Sequence, residues 1–355
     1  MSTSASAAVG PPPGMRIRVS SNEAPQGPSP AAIAAANAAV AEANLYPDDQ
    51  AVALRTALAE HEARPFDEVA VGTGSAAVLM DLIAHECVDG GAAVAFERAF
   101  VVYRLGAANA GVPYVEAATT GPATIGTSGY QRDPQALLDV IDADTRVVVI
   151  DNPGNPTGSH LDADGLRAVI TGVPEHVTIV VDEAYHHFAA GHAGYRTVAE
   201  LGLEHPRLLV SRTFSKAYGL AGLRVGYLLG PAELVRSIDQ WRSRFNVTAP
   251  GQAAAIAALQ DANHLRGVVD TAVSGRARME QHLRDVGVPF TASLGNFVTV
   301  EVGGPSGPAV EAFAARGIGV RPLAPYGMDE QIRITVGTED EVDEVLGAVD
   351  DILVP

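Results

Sequence analysis

Seven short apolar runs between residues 69 and 229 constrain the fold of this chain most. They are Val69–Val71, Ala92–Phe96, Val112–Val115, Arg146–Ile150, Thr178–Val181, Leu208–Ser211 and Val225–Leu229. Several are unbroken Val/Ile/Leu stretches with no polar residue at alternate positions. Strands of that kind suit burial on both faces, as in a mostly parallel sheet covered by helices. Helical stretches separate the runs, so the pattern predicts the α/β class. In doubly wound sheets of this class, ligands bind outside the carboxyl ends of the strands.

The segments on either side differ. Residues 1–44 read as an N-terminal tail and arm. Met1 to Gly14 is small and Pro-rich, with neither a basic stretch nor an apolar core, so it predicts an unstructured tail and no secretion signal. The arm is turn-rich over residues 21–28 and then Ala-rich, with a helix from about Pro30 capped by Ser29. Residues 45–247 hold the apolar runs and form the large domain. From 248 to 355 the pattern is a long helical region from about Gln252 to Val286, strands near Asn296–Val302, Ile318–Val320 and Gln331–Thr335, and a helix from about Glu339. This predicts a smaller α+β domain.

Charge narrows the class of ligand. The net charge is −18, from 42 acidic and 24 basic residues. Such a surface repels nucleic acid and anionic membranes. No run approaches the roughly 20 apolar residues of a membrane span. The single cysteine, Cys87, has no partner for an internal disulfide, which fits the cytoplasm. A small-molecule enzyme is the expectation.

Of the 24 basic residues, one is lysine and 23 are arginine. Where charge alone is wanted this chain uses arginine, so Lys216 belongs where guanidinium cannot substitute. A lysine loses its proton when desolvated and forms imines; arginine does neither.

Four stretches at predicted strand ends carry candidate chemistry. Gly72-Thr73-Gly74-Ser75-Ala76 precedes a helical stretch over Ala77–Cys87 and can cradle an anion on free backbone N–H groups. Asp151-Asn152-Pro153-Gly154-Asn155-Pro156-Thr157-Gly158 is a double-proline loop that offers the Asn155 amide. Asp182-Glu183-Ala184-Tyr185 ends an apolar strand with an acid that needs a cationic partner. A protonated pyridine nitrogen is one candidate, with Tyr185 reaching a neighbouring oxygen. His186 and His187 follow as ordinary loop residues, too few for a metal site. The last stretch, Ser211 to Arg224, contains Lys216; Thr213 or Ser215 with Arg224 can bind a phosphate. An imine-forming amine, a carboxylate for a ring nitrogen, donors for a ring oxygen and a phosphate cradle together match the needs of pyridoxal 5′-phosphate. Lys216 also serves as general base, moving a proton at the substrate Cα.

Asn-Pro-Gly-Asn-Pro-Thr-Gly, Asp-Glu-Ala-Tyr and Ser-Arg-Thr-Phe-Ser-Lys-Ala-Tyr-Gly-Leu-Ala-Gly-Leu-Arg resemble the class I/II aminotransferases of fold-type I, which depend on pyridoxal phosphate. The nearest subgroups are the histidinol-phosphate and aromatic (phenylalanine) aminotransferases. The resemblance runs from Ser21-Asn22-Glu23 to Arg333–Thr338. It implies a large domain with a mostly parallel seven-stranded sheet, a small domain that the arm joins, and a homodimer with shared active sites. It implies that Lys216 forms the Schiff base, that Asp182 pairs with the pyridine nitrogen, and that Tyr185 and Asn155 bond the ring hydroxyl. Gly74, Ser75, Ala76, Thr213, Ser215 and Arg224 hold the phosphate, Phe100 stacks on the ring, and Tyr46 reaches the phosphate in the partner's site. Arg333 grips the substrate carboxylate or its counterpart. Asn22, Gln26 and Arg321 stand on the substrate side, although Arg321 reads equally as an exposed or paired arginine.

Two departures from the family pattern matter. The stacking position, often tyrosine in the histidinol-phosphate branch, is Phe100, so stacking remains and a hydroxyl is lost. The arm places polar Gln26 where the substrate side chain is commonly touched, which predicts a more polar amino donor than phenylalanine or histidinol phosphate. The leading function is amino transfer from an amino acid, or a histidinol-phosphate-like amine, to a 2-oxo acid by a ping-pong cycle. A decarboxylase or lyase on the same scaffold, and a non-catalytic sensor, are the competing readings.

Overall fold

The computed structural model describes residues 14–125 and 127–354. The tail read over Met1–Gly14 lies, but for Gly14, outside them. All seven apolar runs become strands of one sheet: β2 (Val69–Gly72), β3 (Ala92–Phe96), β4 (Tyr114–Ala117), β5 (Thr145–Asp151), β6 (Thr178–Asp182), β7 (Leu208–Thr213) and β8 (Gly226–Leu229), after a short arm strand β1 (Ile17–Arg18). Their order is β2-β8-β7-β6-β5-β3-β4. Strands β4, β3, β5, β6 and β7 pair in parallel, and β8 runs antiparallel to both of its neighbours.

The unbroken apolar runs now have a cause. Val94, Val148, Ile150, Ile179, Val181 and Val210 point into one core, and Ala93, Ala95, Val147, Val149, Val180 and Leu209 into another on the opposite face. Both faces are covered, so neither set of alternate residues is free to be polar. Helices Gly74–Glu86, Val102–Ala110 and Ala232–Trp241 supply Leu79, Leu82, Tyr103 and Val235 to the second core. Helices Val52–His61, Ala163–Gly172 and Ala249–Leu259 cover the first with Leu54, Leu58, Val169 and Ala254.

The rest of the chain builds a second sheet in the order β12-β13-β10-β9, all antiparallel, from β9 (Phe290–Thr291), β10 (Phe297–Glu301), β12 (Arg321–Leu323) and β13 (Met328–Thr335). Strand β11 (Ile318–Gly319) pairs instead with β1, which ties the arm to this part of the molecule. Helices Ala262–Asp285, Ser306–Ala315 and Glu339–Leu353 close a third core with Met279, Phe313 and Val345.

The differences from the expected elements are local. The helical region over Gln252–Val286 is two helices, because Asp261 accepts from His264 N at 3.0 Å and starts a new one. The first of them, Ala249–Leu259, belongs to the core beneath the large sheet, so the change of core falls after residue 259, not at 248. The arm is likewise divided. Its strand joins the small sheet, while Ala32, in the helix Pro30–Val40 capped by Ser29 as expected, belongs to the large core. Strand β4 begins at Tyr114, not Val112, because Gly111 ends the preceding helix at φ 71° and Pro113 follows. No helix among the described residues is long and apolar enough to cross a membrane.

Candidate active site

The carboxyl ends of β5, β6 and β7 open onto a cleft of about 380 Å³, within the range of small-molecule sites. Its other walls are the arm, the start of the helix Gly74–Glu86, and the ends of β12 and β13.

Strand β7 ends at Thr213 and the chain turns, carrying Lys216 to the cleft. Its Nζ donates to the carbonyl of Ser21 at 3.2 Å and lies 5.7 Å from the centre of the Tyr185 ring. Lys216 keeps some surface open to the cleft, yet the protein around its amine pulls the pKa down to about 7, with the Arg333 charge adding to the effect. Near neutral pH a large share of this lysine is an uncharged nucleophile.

Asp182 ends β6. It is buried and lacks an arginine or lysine partner among the described residues. Its Oδ2 accepts from Tyr103 Oη at 2.8 Å and its Oδ1 from Ala184 N at 3.2 Å. Burial pushes its carboxyl up to about 7, with neighbouring Asp151 adding to the rise and the two hydrogen bonds opposing it. A buried acid poised in this way is completed by a cationic group.

The helix Gly74–Glu86 begins three residues earlier than the sequence suggested, so Ser75 and Ala76 fall in its first turn, where backbone N–H groups have no intrahelical partner. Gly74 has φ +77°, and a Cβ there would overlap the Arg224 guanidinium, which lies against this turn. Thr213 and Ser215 stand alongside, with Ser215 N donating to Thr213 Oγ1 at 3.1 Å. Donors and a fixed cation converge as an anion cradle.

On the other side, Arg333 of β13 donates through Nη1 to Asn155 Oδ1 and through Nη2 to the carbonyl of Ser20 at 2.7 Å. It is buried over the Phe297 ring, its Nε has no hydrogen-bond partner, and no carboxylate among the described residues pairs with it. Asn22, held at φ 56°, donates from Nδ2 to the Tyr185 hydroxyl at 2.8 Å and accepts from Thr335 Oγ1 at 3.0 Å. Tyr185 is fixed edge-on against Phe297. Burial raises its phenol pKa well above the ordinary value, so the hydroxyl stays protonated.

The cleft thus gathers Lys216, Asp182, Tyr185, Asn155, Ser75, Ala76, Phe100, Thr213, Ser215, Arg224, Asn22, Arg321 and Arg333, with Gly74 beside them. Two expected residues are not gathered. Gln26 lines a separate surface groove with Thr271, Ser274 and Gly337, because the turn after Pro25 points it away; the polar-donor argument built on it loses its basis. Tyr46 is 83% exposed and stacks on Phe245 at 4.7 Å, outside the cleft of its own chain. His186 and His187 are not ordinary loop residues. They start a short helix whose Phe188 and Ala189 are buried; the histidines themselves are half-buried, and desolvation lowers both imidazole pKa values. Arg18, Glu23, Tyr103, Tyr326 and Asp151 line the cleft without having been singled out. A spacing signal was available for Tyr103, one helical turn beyond Phe100.

The family described as aminotransferase class I and II matches residues 15–349. The histidinol-phosphate aminotransferase 2 of Methylococcus capsulatus is 40% identical over 96% of this chain and 91% of its own length. Its namesake from Pseudomonas fluorescens is 38% identical over 96% and 90%. Among solved structures, histidinol-phosphate aminotransferase from Sinorhizobium meliloti, in complex with pyridoxal 5′-phosphate, superposes with a TM-score of 0.84 at 28% identity, covering 96% of this chain and 91% of that one. Aspartate aminotransferase from Thermus thermophilus with maleate, at 22% identity and a TM-score of 0.80 over 94% and 90%, shares the fold.

Proposed function

The chain belongs to the class I and II aminotransferase family, and on that premise we propose which of its residues carry the chemistry and which substrates it takes. It is a pyridoxal 5′-phosphate-dependent aminotransferase. That membership favours amino transfer over the decarboxylase, lyase and sensor readings.

The residues fit the cofactor. An amine held near neutrality, a buried acid without a cation and an anion cradle are the partners its aldehyde, pyridine nitrogen and phosphate require. When bound, pyridoxal phosphate supplies the carbonyl for amine exchange and an electron sink for charge left at the substrate Cα. Lys216 would hold it covalently and would move the proton at the substrate Cα. Asp182 keeps its negative charge by facing the ring nitrogen. Tyr185 and Asn155 orient the ring oxygen, and Phe100 covers the ring face. Gly74, Ser75, Ala76, Thr213, Ser215 and Arg224 bind the phosphate.

The substrates proposed are histidinol phosphate as amino donor and a 2-oxo dicarboxylic acid as acceptor. One observation carries this reading. Arg333 and Arg321 are direct cross-strand partners in β13 and β12, both lining the cleft, and Arg333 is a buried cation without a carboxylate. A pair of arginines at one end of a site suits ligands that share an anionic end, whether phosphate or carboxylate. The names of the relatives agree. The test is a single-turnover titration of the cofactor-loaded enzyme with histidinol phosphate, glutamate and phenylalanine. Histidinol phosphate should discharge the visible absorbance band and 2-oxoglutarate restore it; a band discharged by phenylalanine alone would sink the assignment.

A homodimer with shared sites is part of the proposal. Leu45 and Tyr46, on the segment that the family resemblance carries into the partner's site, are exposed apolar side chains, as is Phe245, on which Tyr46 stacks. Light scattering of the purified protein tests it, with a monomer as the contrary result. A cytoplasmic location fits the buried, unpaired Cys87.

A further inference from the structure

We infer that Asp151, paired with Arg132, is a positioning residue for the cofactor ring: its one carboxylate sets the spacing between Phe100 and Asn155. The inference rests on the ring-facing roles proposed above for those two residues.

Asp151 ends β5 in direct register with Asp182 at the end of β6. The two acids have opposite surroundings. Asp182 lacks a cation, whereas both oxygens of Asp151 are committed. Oδ1 accepts from Arg132 Nη2 at 2.6 Å, and Oδ2 accepts from the backbone N–H of Phe100 at 3.2 Å and of Asn155 at 3.0 Å. Arg132 also donates through Nη1 to the Asp151 carbonyl, so it grips the residue at both ends. The guanidinium lies over the Phe96 ring, 5.2 Å from its centre, and is as enclosed as its partner. A Cβ at Gly154 would overlap it, so the double-proline loop needs glycine there to let it pass.

Three separate stretches of chain therefore meet on one carboxylate: the loop after β3 that carries Phe100, the loop after β5 that carries Asn155, and the segment before helix Pro134–Asp139 that carries Arg132. A buried ion pair is weak evidence of a contribution to stability, because well-packed apolar residues often replace one without loss. What apolar residues cannot do is accept two N–H groups from two loops at once. Arg132 also keeps the charge of Asp151 from standing unopposed beside Asp182, whose ionisation the cofactor requires.

The experiment compares cofactor-free wild type, Asp151→Asn, Arg132→Lys, Phe100→Ala and Asn155→Ala. Each is titrated with pyridoxal 5′-phosphate, reading the dissociation constant by visible absorbance and the ring's pose by visible circular dichroism per bound cofactor. Asp151→Asn should weaken binding about tenfold, as loss of one hydrogen bond to a charged group does, and change the visible dichroism. Arg132→Lys, which keeps a cation, should retain more than half of the wild-type dichroism. If Asp151→Asn binds within about twofold of wild type with unchanged dichroism, while Phe100→Ala and Asn155→Ala do not, the positioning role is wrong and the ring roles stand. If all three match wild type, the ring roles fail and this inference fails with them. Should Asp151→Asn not fold by far-ultraviolet dichroism, the neutral pair Asp151→Asn/Arg132→Gln takes its place under the same criteria.

Discussion

The phenol of Tyr103 donates to Asp182 Oδ2 at 2.8 Å; both residues are buried, and the Tyr103 ring meets Phe100 edge-on at 5.9 Å. This hydrogen bond favours the ionised acid and opposes the burial that lifts its pKa to about 7. Tyr103→Phe removes it while keeping the ring. One such bond to a charged group is worth about 1.5 kcal/mol, or about one pH unit. In the cofactor-free protein the Asp182 carboxyl should therefore titrate about one unit higher, read from the protonated-carboxyl infrared band against pH. An unmoved band would show that the phenol only packs.

Two groups held near neutrality, one buried and one half-buried, make the cofactor-free protein sensitive to pH. Asp182 holds its proton up to about 7 when folded and to about 4 when unfolded. Its contribution to stability is full below the lower value and is lost as pH rises through the upper one. Lys216 is depressed to about 7 from about 10.4. Its contribution is full above that unfolded value and is lost as pH falls through 7. Both therefore work against folding around neutral pH, where the bound cofactor relieves them. Lys216→Met should raise the melting temperature of the cofactor-free protein at pH 6.5 by about 3 °C, the gap closing toward pH 10. Calorimetry across that range checks both the sign and the closing.

The legible part of this molecule was the part fixed by local chemistry. Continuous burial of Val147 to Ile150 and of Ile179 to Val181 leaves its mark residue by residue, so the parallel sheet could be read directly. The lone lysine in an arginine-rich chain marked Lys216 without any knowledge of its neighbours. Arg132 left no such mark. Its partner Asp151 is 19 residues away, and nothing near it in sequence distinguishes it from a surface arginine. Gln26 shows the reverse error: a turn of two or three residues decides which way a side chain points, and composition does not encode it.

The grip of Arg333 on Asn155 and on the Ser20 carbonyl joins the small sheet, the loop after β5 and the arm at the site. Arg333→Lys keeps the charge but loses the planar fork, so it cannot serve both acceptors and a substrate anion. We expect kcat/KM to fall about 100-fold with both donor and acceptor, while the cofactor still binds. Equal kcat/KM for the two enzymes would remove Arg333 from the substrate site.

The placement of Gln26 and Arg321 yields opposite expectations for two conservative-looking changes. Gln26 lines a surface groove apart from the cleft, so Gln26→Leu should leave the order of preference among donors unchanged. Arg321 sits opposite Arg333 across two strands and lines the cleft. Arg321→Ala should raise KM for histidinol phosphate about tenfold or more, as loss of a charge-assisted contact to a phosphate does, with a smaller change for a donor such as phenylalanine that carries no phosphate. The comparison is made within one variant and between two donors, so a general loss of folded enzyme cannot imitate it. Equal effects on both donors would place Arg321 outside the reach of the phosphate, and a donor shift in Gln26→Leu would return that residue to the substrate.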